Sequence, residues 1–242
     1  MTTALPRTPY DEDGYAETYE ATFNTSPDTL PNFDFEIAHV QHALTSARSW
    51  CDVACGTGLH LRTATSPHSV RRVGIDRSAR MLAQAARTSP DWPIAWVEAD
   101  VCAHPVTDRF DLVTHFWWGH VHQPTLDAVE RFFSTCVALV APGGTFLFDL
   151  DDMPLDHEVS VAGSAAPVTF DAVIWSWRQI ERAPEAGFEF RHCIAPHPDL
   201  VHAWLEPHFA AIEKVDYPHH LPPESQKTDA SLWLCTGRQD RP

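Results

Sequence analysis

A short stretch rich in glycine constrains this chain more than any other part of the sequence. Residues 50–58 read Trp-Cys-Asp-Val-Ala-Cys-Gly-Thr-Gly, an apolar run that includes Asp52 and then turns through Gly56 and Gly58. Glycine has no Cβ, so the backbone can turn sharply there and a ligand can approach it closely. A helix that starts after such a turn presents unpaired N–H groups to that ligand. The stretch predicts a buried strand, a tight turn and a helix, although a turn that binds nothing also fits it.

Further apolar runs follow this turn and lead to acidic residues. The next run ends in Asp76, which follows the glycine turn by about the 20 residues that separate such a turn from a ribose-binding acid in a βαβ unit. The runs 94–97, 110–114 and 145–149 are the next predicted strands, and Asp100 comes just after the first of them. Acids at the carboxyl ends of parallel strands line the crevice in which open α/β sheets bind ligands.

Apolar spacing also predicts the helices and the remaining strands. Helices are predicted, where apolar residues recur every three or four positions, over residues 35–46, 78–87, 124–139 and 199–209. Asp34 is the expected N-cap of the first helix. Strands six and seven are predicted over 210–217 and 231–237. The β-rich segment 154–198 is expected to form a small antiparallel insertion after strand five, and 218–230 an exposed loop.

Taken together, these motifs resemble those of class I S-adenosylmethionine-dependent methyltransferases over residues 35–150. The matching motifs are, in chain order, the glycine motif 52–58 with Ala54 where many members have glycine, the ribose acid Asp76, the adenine pair Asp100 and Val101, the strand 110–114 beneath the methionine, and the turn 142–144. A dehydrogenase fits less well, because Asp52 lies inside the glycine motif and a third spaced glycine is missing. The branch that the chain resembles methylates small molecules of secondary metabolism, including amino sugars and other antibiotic precursors.

The resemblance implies an α/β fold: a Rossmann-like, seven-stranded, mostly parallel sheet with helices on both faces and an antiparallel seventh strand. It implies S-adenosylmethionine as the cofactor, and the residues expected to bind it are Tyr19, Asp52, Ala54, Gly56, Gly58, Asp76, Arg77, Met81, Asp100, Val101, Thr114 and His115. In similar enzymes a segment like Tyr15-x-x-x-Tyr19 closes over the cofactor, so Tyr15 is a candidate for steering the nucleophile. Residues 1–34 are expected to form this lid and 35–242 the methyltransferase domain, although the tyrosines also fit a surface helix with two aromatic anchors.

The charge and composition of the chain exclude several other classes of function. The formal net charge is −16 and the pI is near 5.2, so the surface repels phosphate backbones. The six cysteines include no Cys-x-x-Cys pair and fit small buried side chains in a reducing compartment. No apolar run approaches the roughly 18 residues of a membrane span, and no secretory signal is seen. These features predict a cytoplasmic protein that binds neither nucleic acid nor membranes.

The segment after strand four contains the candidate catalytic residues. It reads His115-Phe-Trp-Trp-Gly-His120-Val-His122, and substrate and cofactor are expected to meet there. His120 or His122 is the candidate general base, because an unperturbed histidine titrates near pH ~6.5, although a polar surface position explains either one. His115 stands where metal-dependent catechol-type methyltransferases have an acid that binds Mg²⁺. No metal site is therefore predicted, despite the acid cluster at 149–152.

The sequence predicts an enzyme that moves a methyl group from S-adenosylmethionine to a nitrogen or oxygen of a small molecule. The acidic composition slightly favours an amine-bearing acceptor. In the resembling family, insertions such as 154–198 select the substrate or form a dimer contact, so a homodimer is a further expectation. A second hypothesis keeps the fold and the cofactor but replaces methyl transfer by a non-methylating reaction, such as a cyclisation, or by ligand binding alone.

Overall fold

The structure is built on one mixed sheet with helices on both faces. The computed structural model describes residues 8–22, 30–66, 69–89, 91, 93–103, 108–151, 169–170, 174–179, 182–183, 186–187, 190–218 and 230–240. The strands are β1 (Ser49–Val53), β2 (Arg71–Asp76), β3 (Ile94–Glu98), β4 (Phe110–His115), β5 (Val140–Asp151), β6 (Thr169–Phe170), β7 (Ile174–Gln179), β8 (Arg182–Ala183), β9 (Ala186–Gly187), β10 (Phe190–Pro196), β11 (Phe209–Asp216) and β12 (Ala230–Arg238). The α-helices are α1 (Tyr15–Thr22), α2 (Leu30–Ala43), α3 (Leu59–Thr63), α4 (Ala79–Thr88), α5 (Leu126–Leu139) and α6 (Pro198–Leu205). Short 3-10 helices lie at Pro9–Asp11, Gly119–His122 and Glu206–His208.

The order of the strands confirms the predicted fold class. Seven of the described strands pair in the order β11-β12-β5-β4-β1-β2-β3. Strands β1 to β5 pair in parallel, whereas β12 is antiparallel to both β5 and β11. This is a Rossmann-like sheet with an antiparallel last strand. The order places β1 between β2 and β4, so the crevice at the point where the strand order reverses lies beside the end of β1.

The predicted antiparallel insertion is confirmed for the strands that the structure describes. Strands β6, β7 and β10 form a separate antiparallel sheet, and β8 pairs antiparallel with β9. Strand β10 lies against the 3-10 helix Gly119–His122, which follows the end of β4. The insertion therefore reaches the segment in which the candidate catalytic histidines lie.

The core divides between the two faces of the sheet because successive strand residues point in opposite directions. On one face, Trp50 and Leu112 belong to a buried cluster that includes Val40 of α2. On the other face, Cys51 and Val113 belong to a cluster that includes most of the buried side of α5. Helices therefore cover both faces of the sheet, as predicted.

Trp96 fixes the contact between the glycine turn and the edge of the sheet. Its ring lies over the backbone of both Gly58 and Gly74. A Cβ at Gly58 would lie 2.8 Å from Cζ3 of Trp96, and a Cβ at Gly74 would lie 2.6 Å from the same atom. Both positions therefore need glycine so that the backbone can approach the indole.

Two predicted helix boundaries are wrong. Helix α2 begins at Leu30 rather than at residue 35, so Asp34 lies inside the helix on its exposed side and is not the N-cap. The cause is Phe33, which is buried and extends the apolar face of α2 by one turn. The last helix ends at Leu205 rather than at 209, because Phe209 already pairs with β12 as the first residue of β11.

Strand β5 also begins earlier than predicted. It starts at Val140, directly after α5, and its pairing with β4 shifts between Val140 and Thr145. Gly143 has φ 75° within the intervening bulge. The turn predicted over 142–144 is therefore a bulge inside the strand.

Several predictions lie on residues that the structure does not describe. The lid assigned to residues 1–34 is described over 8–22 and from residue 30, where α2 crosses the predicted domain boundary. Most of the loop 218–230 and the acid Asp152 lie outside the described residues. None of the described helices has the length and apolar character needed to cross a membrane.

Candidate functional site

A large cavity opens at the carboxyl ends of β1, β2 and β4. The space between its walls, including the open mouth, is about 1000 Å³. The predicted site residues that line it are Tyr19, Asp52, Ala54, Gly56, Asp76, Arg77, Met81, Asp100, Val101 and His122. The predicted site residues that do not line it are Tyr15, Gly58, Thr114, His115 and His120. The cavity therefore brings together most of the residues selected from the sequence.

The glycine turn holds three residues in left-handed backbone conformations. Gly56 has φ 54° and Gly58 has φ 73°, both of which glycine adopts without strain. Ala54 has φ 56°, a conformation that costs a residue with a Cβ roughly 1–2 kcal/mol. Non-glycine residues held in this conformation concentrate at functional sites, where the surrounding structure maintains them.

Asp76 ties the glycine turn to the next helix. Its Oδ2 accepts a hydrogen bond from the backbone N–H of Gly56 at 2.8 Å, and its Oδ1 accepts one from that of Ser78 at 2.8 Å. Ser78 is the N-cap of α4, and its hydroxyl donates to the carbonyl of Tyr10 at 2.6 Å. Burial raises the pKa of Asp76, which still lines the cavity. The predicted ribose acid is thus also the residue that shapes the turn.

Asp52 presents a buried carboxylate to the same cavity. Its Oδ1 accepts a hydrogen bond from the hydroxyl of Thr114 at 2.6 Å, and that hydroxyl accepts one from the indole of Trp50 at 2.9 Å. Burial raises the pKa of Asp52 to about 6. A carboxylate with so little water around it favours a positively charged ligand group. Thr114 acts through Asp52, because it does not itself line the cavity.

His115 and His120 form a buried pair behind the cavity. Nδ1 of His115 lies 3.0 Å from the carbonyl oxygen of Val53, so Nδ1 carries the proton and donates it. Its Nε2 then accepts hydrogen bonds from Nδ1 and from the backbone N–H of His120, at 3.0 and 3.3 Å. Burial lowers the pKa of His115 to about 4 and lowers that of His120 well below its ordinary value. Both rings are therefore neutral at neutral pH, and they form hydrogen bonds with protein groups behind the cavity.

His122 is the member of the predicted pair that lines the cavity. Its Nε2 lies 3.3 Å from the hydroxyl of Tyr10, and the two rings meet edge to face. Burial lowers the pKa of His122 to about 4, so its ring is neutral but a weak proton acceptor at neutral pH. His122 therefore joins the cavity wall to the N-terminal segment.

The N-terminal segment 8–22 packs across the cavity mouth. Tyr10 and Tyr19 line the cavity, whereas Tyr15 is buried between them with its ring centroid 5.4 Å from that of Tyr10. Four ion pairs within the described residues join this segment to the domain: Arg62 with Glu20, Arg77 with Asp11, Arg80 with Asp13, and Arg87 with Glu17. Segment 8–22 therefore lies over the glycine turn and α4, and we call it the cover.

A cluster that the sequence did not reveal lies at the other side of the cavity. Glu36 of α2 is buried, and its Oε2 accepts hydrogen bonds from Nε2 of His60 at 2.7 Å and from the indole of Trp117 at 3.2 Å. Its Oε1 accepts a hydrogen bond from the hydroxyl of Tyr217 at 2.6 Å. His60 and Trp117 line the cavity. The only signal in the sequence was the place of His60 two residues after Gly58.

The backbone after β4 is held in a strained shape beside this cluster. Trp117 and Trp118 have φ 61° and 58°, values that residues with a side chain rarely adopt. The N–H of Trp117 donates to Oδ2 of Asp149 at the end of β5, at 3.0 Å. Asp149 therefore anchors the loop that carries Trp117 into the cavity wall. Among the described residues, no group of three or more His, Cys, Asp or Glu is arranged to hold a metal ion.

The buried histidines predict a loss of stability in acid. The pKa of His115 falls on folding from near 6.5 to about 4, so below pH 6.5 the unfolded chain binds this proton more readily than the folded protein. Between pH 7 and pH 5 we expect the free energy of unfolding to fall by about 2 kcal/mol from His115, by a similar amount from His122, and further from His120. Asp52 opposes this by roughly 1 kcal/mol, because its pKa is raised to about 6 and the folded protein binds that proton first.

Urea unfolding at pH 7 and pH 5 measures this difference. The variant His115→Gln is expected to be less stable at pH 7 but to lose less stability on acidification than the unmodified protein. The exposed His202 serves as the control, since His202→Gln keeps the buried pair intact. An equal loss in all three proteins would show that His115 is not the group that titrates.

Comparisons with known proteins agree with this geometry. Residues 51–144 match the protein family described as "Methyltransferase domain". A relative from Saccharopolyspora spinosa, named dTDP-4-amino-2,3,4,6-tetradeoxy-D-glucose N,N-dimethyltransferase, is 29% identical over 110 residues, which are 46% of this chain and 43% of that protein. The match therefore spans less than half of the length of that relative.

Solved structures show the same fold over almost the whole chain. The N-methyltransferase NodS from Bradyrhizobium japonicum, in complex with S-adenosyl-L-homocysteine, has a TM-score of 0.65 and 14% identity, covering 97% of this chain and 100% of that one. DesVI from Streptomyces venezuelae has a TM-score of 0.61 and 18% identity, covering 93% and 99%. KedS8, a sugar N-methyltransferase from Streptoalloteichus, has a TM-score of 0.60 and 18% identity, covering 99% and 97%.

Proposed function

We propose that this chain, in which residues 51–144 match a methyltransferase domain, transfers a methyl group from S-adenosylmethionine to a nitrogen of a small molecule in secondary metabolism. The observation that carries the proposal is the cavity at the switch point of the sheet, where the glycine turn, Asp76 and Asp100 meet. An open α/β sheet binds its ligand at this place. The acidic cavity wall fits a positively charged donor molecule.

The residues at the β2 side of the cavity fit the nucleoside part of the donor. Asp76 and Asp100 line the cavity, where Asp76 would accept hydrogen bonds from the ribose hydroxyls and Asp100 would accept them from the adenine end. Met81 and Val101 are buried apolar residues in the same wall and would pack against the base. Asp52, whose carboxylate faces the cavity with a raised pKa, fits the charged methionine part.

The opposite side of the cavity fits the acceptor. Its wall contains Tyr19, Leu59, Phe116 and Trp117, an aromatic and apolar surface. Aromatic faces attract cations as well as apolar groups, so this wall suits an amine. The name of the Saccharopolyspora relative, an N,N-dimethyltransferase of an amino sugar, supports nitrogen over oxygen as the atom that is methylated.

Methyl transfer from a sulfonium requires little chemical activation by the protein. The bound donor supplies a methyl group that is already activated, so the chain contributes proximity, alignment and exclusion of water. Segment 8–22 would exclude water from above, with Tyr10 and Tyr19 in the cavity wall. The predicted general base at His120 or His122 stays a prediction, as do a homodimer and a cytoplasmic location.

Calorimetric titration and a product assay test the proposal. S-adenosylmethionine and S-adenosylhomocysteine are each titrated into the full chain, and both are expected to bind at one site.

Mass spectrometry then follows the methylation of a matched pair of sugar nucleotides, one with an amino group and one with a hydroxyl at the same carbon. The pair is tested within a wider screen of aliphatic amines. We expect the amine to gain a methyl group and the alcohol to remain unchanged.

Each contrary result has a distinct meaning. Absence of binding would overturn the assignment of the cavity. Binding of the cofactor without methylation of any amine in the screen would favour the alternative function, a methyltransferase fold that performs a non-methylating reaction or only binds a ligand. Methylation of the alcohol alone would overturn the choice of nitrogen.

A further inference from the structure

We propose that His60, held by Glu36, accepts the proton that an acceptor ammonium group must lose before its nitrogen can be methylated. The inference rests on the proposed function and adds to it the identity of the proton acceptor and the class of substrate, an aliphatic amine. It is carried by the cluster of Glu36, His60, Trp117 and Tyr217. Sequence patterns had pointed instead to the histidines after β4.

The hydrogen bonds of Glu36 determine which nitrogen of His60 carries the proton. A carboxylate accepts hydrogen bonds and donates none, so the 2.7 Å contact requires a proton on Nε2 of His60. In the neutral ring, Nδ1 then carries the lone pair. No described residue lies within hydrogen-bond distance of Nδ1, and His60 lines the cavity. Nδ1 is therefore the atom of this ring that is left to accept a hydrogen bond from a ligand.

The partners of Glu36 hold the carboxylate in one place. Tyr217 donates to one oxygen, and Trp117 shares the other oxygen with His60. A buried carboxylate with three donors is a fixed negative charge that stabilises the imidazolium formed when His60 takes up a proton. The charged or titratable groups that face His60 from the described elements are Glu36 and, on the β1 side, Asp52.

The ring of His60 is also fixed in orientation. It stacks on Phe116 with 4.6 Å between ring centroids and meets Phe33 and Trp117 edge to face at 5.0 and 5.4 Å. Its exposed side-chain fraction is 7%, and His60 is part of the cavity wall. A ring held in one orientation within the cavity wall suits proton transfer to or from a ligand.

His122, the other histidine among the described cavity residues, is less suited to this role. Its Nε2 already faces the hydroxyl of Tyr10 at 3.3 Å. Positive charge on its ring is opposed by burial and by Arg77. The contrast favours His60 as the proton acceptor and gives His122 a role in holding segment 8–22 in place.

The chemistry of an aliphatic amine explains why a proton acceptor is useful here. Such amines are largely protonated at neutral pH and then have no lone pair to offer. Nδ1 of His60 takes one proton from the ammonium group, which frees the nitrogen lone pair. The N–C bond forms as the S–C bond of the donor breaks, and the electron pair of that bond remains on sulfur. The methylated nitrogen leaves as an ammonium ion, and His60 passes its proton to water when the product departs.

Nitrogen NMR of the histidine side chains tests the assignment without any acceptor. In the full chain with S-adenosylhomocysteine bound, His60→Gln identifies the signals of His60. We expect Nε2 of the neutral ring to carry the proton and Nδ1 to carry none, because Nε2 donates to Glu36 at 2.7 Å. A neutral ring with its proton on Nδ1 would overturn the proposal, because Nδ1 could then not accept a proton from a ligand.

Enzyme kinetics with an amine that the screen identifies as a substrate provide the second test of His60. His60→Gln is expected to lower kcat about 100-fold or more at pH 7, with a smaller loss at pH 9, where more of the amine is already neutral. Glu36→Gln should fall between His60→Gln and the unmodified protein, and His42→Gln, at an exposed site on α2, should behave as the unmodified protein.

Controls separate this proposal from the proposed function. Affinity for S-adenosylhomocysteine should be unchanged in His60→Gln, since the loss concerns the acceptor. A loss of kcat that is equal at pH 7 and pH 9, or a larger loss in His122→Gln than in His60→Gln, would overturn the role of His60. A failure to methylate any amine would count against the proposed function, and the NMR arm would still decide the role of His60.

Discussion

Replacing Asp76 by Ala is expected to lower the affinity for S-adenosylmethionine about 10- to 100-fold, or roughly 1–3 kcal/mol. Two effects add in the same direction. The carboxylate that we propose to bind ribose is removed, and the N–H groups of Gly56 and Ser78 lose the acceptors that they meet at 2.8 Å. The glycine turn therefore also loses the contact that holds it in its binding shape.

A matched control separates binding from stability. Asp111 accepts hydrogen bonds from the backbone N–H groups of Arg48 and Ser49, at 2.9 and 3.0 Å, but lies away from the cavity. Asp111→Ala should therefore lower the free energy of unfolding and leave cofactor affinity unchanged. Calorimetry on both variants makes the comparison, and an Asp76→Ala protein that binds as tightly as the unmodified chain would show that the ribose assignment is wrong.

Replacing Gly58 by Ala is expected to lower the free energy of unfolding by about 2–5 kcal/mol. The backbone there has φ 73°, which a residue with a Cβ adopts at a cost of roughly 1–2 kcal/mol. The new methyl group would also collide with the ring of Trp96, and overpacking of this kind adds roughly 1–3 kcal/mol. Urea unfolding measures the total.

Gly143 provides the matched control for the cost of a positive φ alone. It has φ 75°, but a Cβ there would meet no atom within 4 Å, so Gly143→Ala should cost about 1 kcal/mol and no more. Shortening the indole in the double variant Gly58→Ala/Trp96→Leu should recover part of the loss, as contacting residues are not additive. Equal losses at Gly58 and Gly143, without any recovery, would rule out the collision with Trp96.

The sheet was predictable from the sequence because its strands carry their own signals. Runs of apolar residues, each followed by an acid or a glycine, mark β1 to β5, and these strands pair in the order expected of a Rossmann-like sheet. Helix starts were less predictable because local signals compete. Asp34 looks like an N-cap, but the buried ring of Phe33 adds a turn before it, and burial of an aromatic side chain outweighs a cap.

Some residues of the candidate site were likewise predictable from the sequence and others were not. Asp52, Asp76 and Asp100, which line the cavity, were found from the sequence because each lies in or just after one of the strands β1, β2 and β3. Glu36 and Tyr217 were not, since they are 181 residues apart and only the folded chain brings them together at one oxygen of a carboxylate.

The histidines after β4 differ in position in a way that the sequence did not predict. His120 and His122 share a short segment, but the 3-10 helix Gly119–His122 turns His120 into the protein and leaves His122 at the cavity. A two-residue spacing places side chains on one side only in an extended chain. Spacing alone therefore did not distinguish a buried ring from one that meets a ligand.

The cover over the cavity is attached in large part by charge. Arg77, Arg80 and Arg87 face acids of segment 8–22, and several of these side chains are half exposed to solvent. Attraction between such charges falls as ionic strength rises, because mobile ions screen it over about 10 Å at 0.1 M salt. The ring contacts among Tyr10, Tyr15 and Tyr19 do not depend on charge and are not screened. We therefore expect higher salt to loosen segment 8–22 from the domain and, with that segment as the proposed lid, to speed the entry and exit of bound molecules.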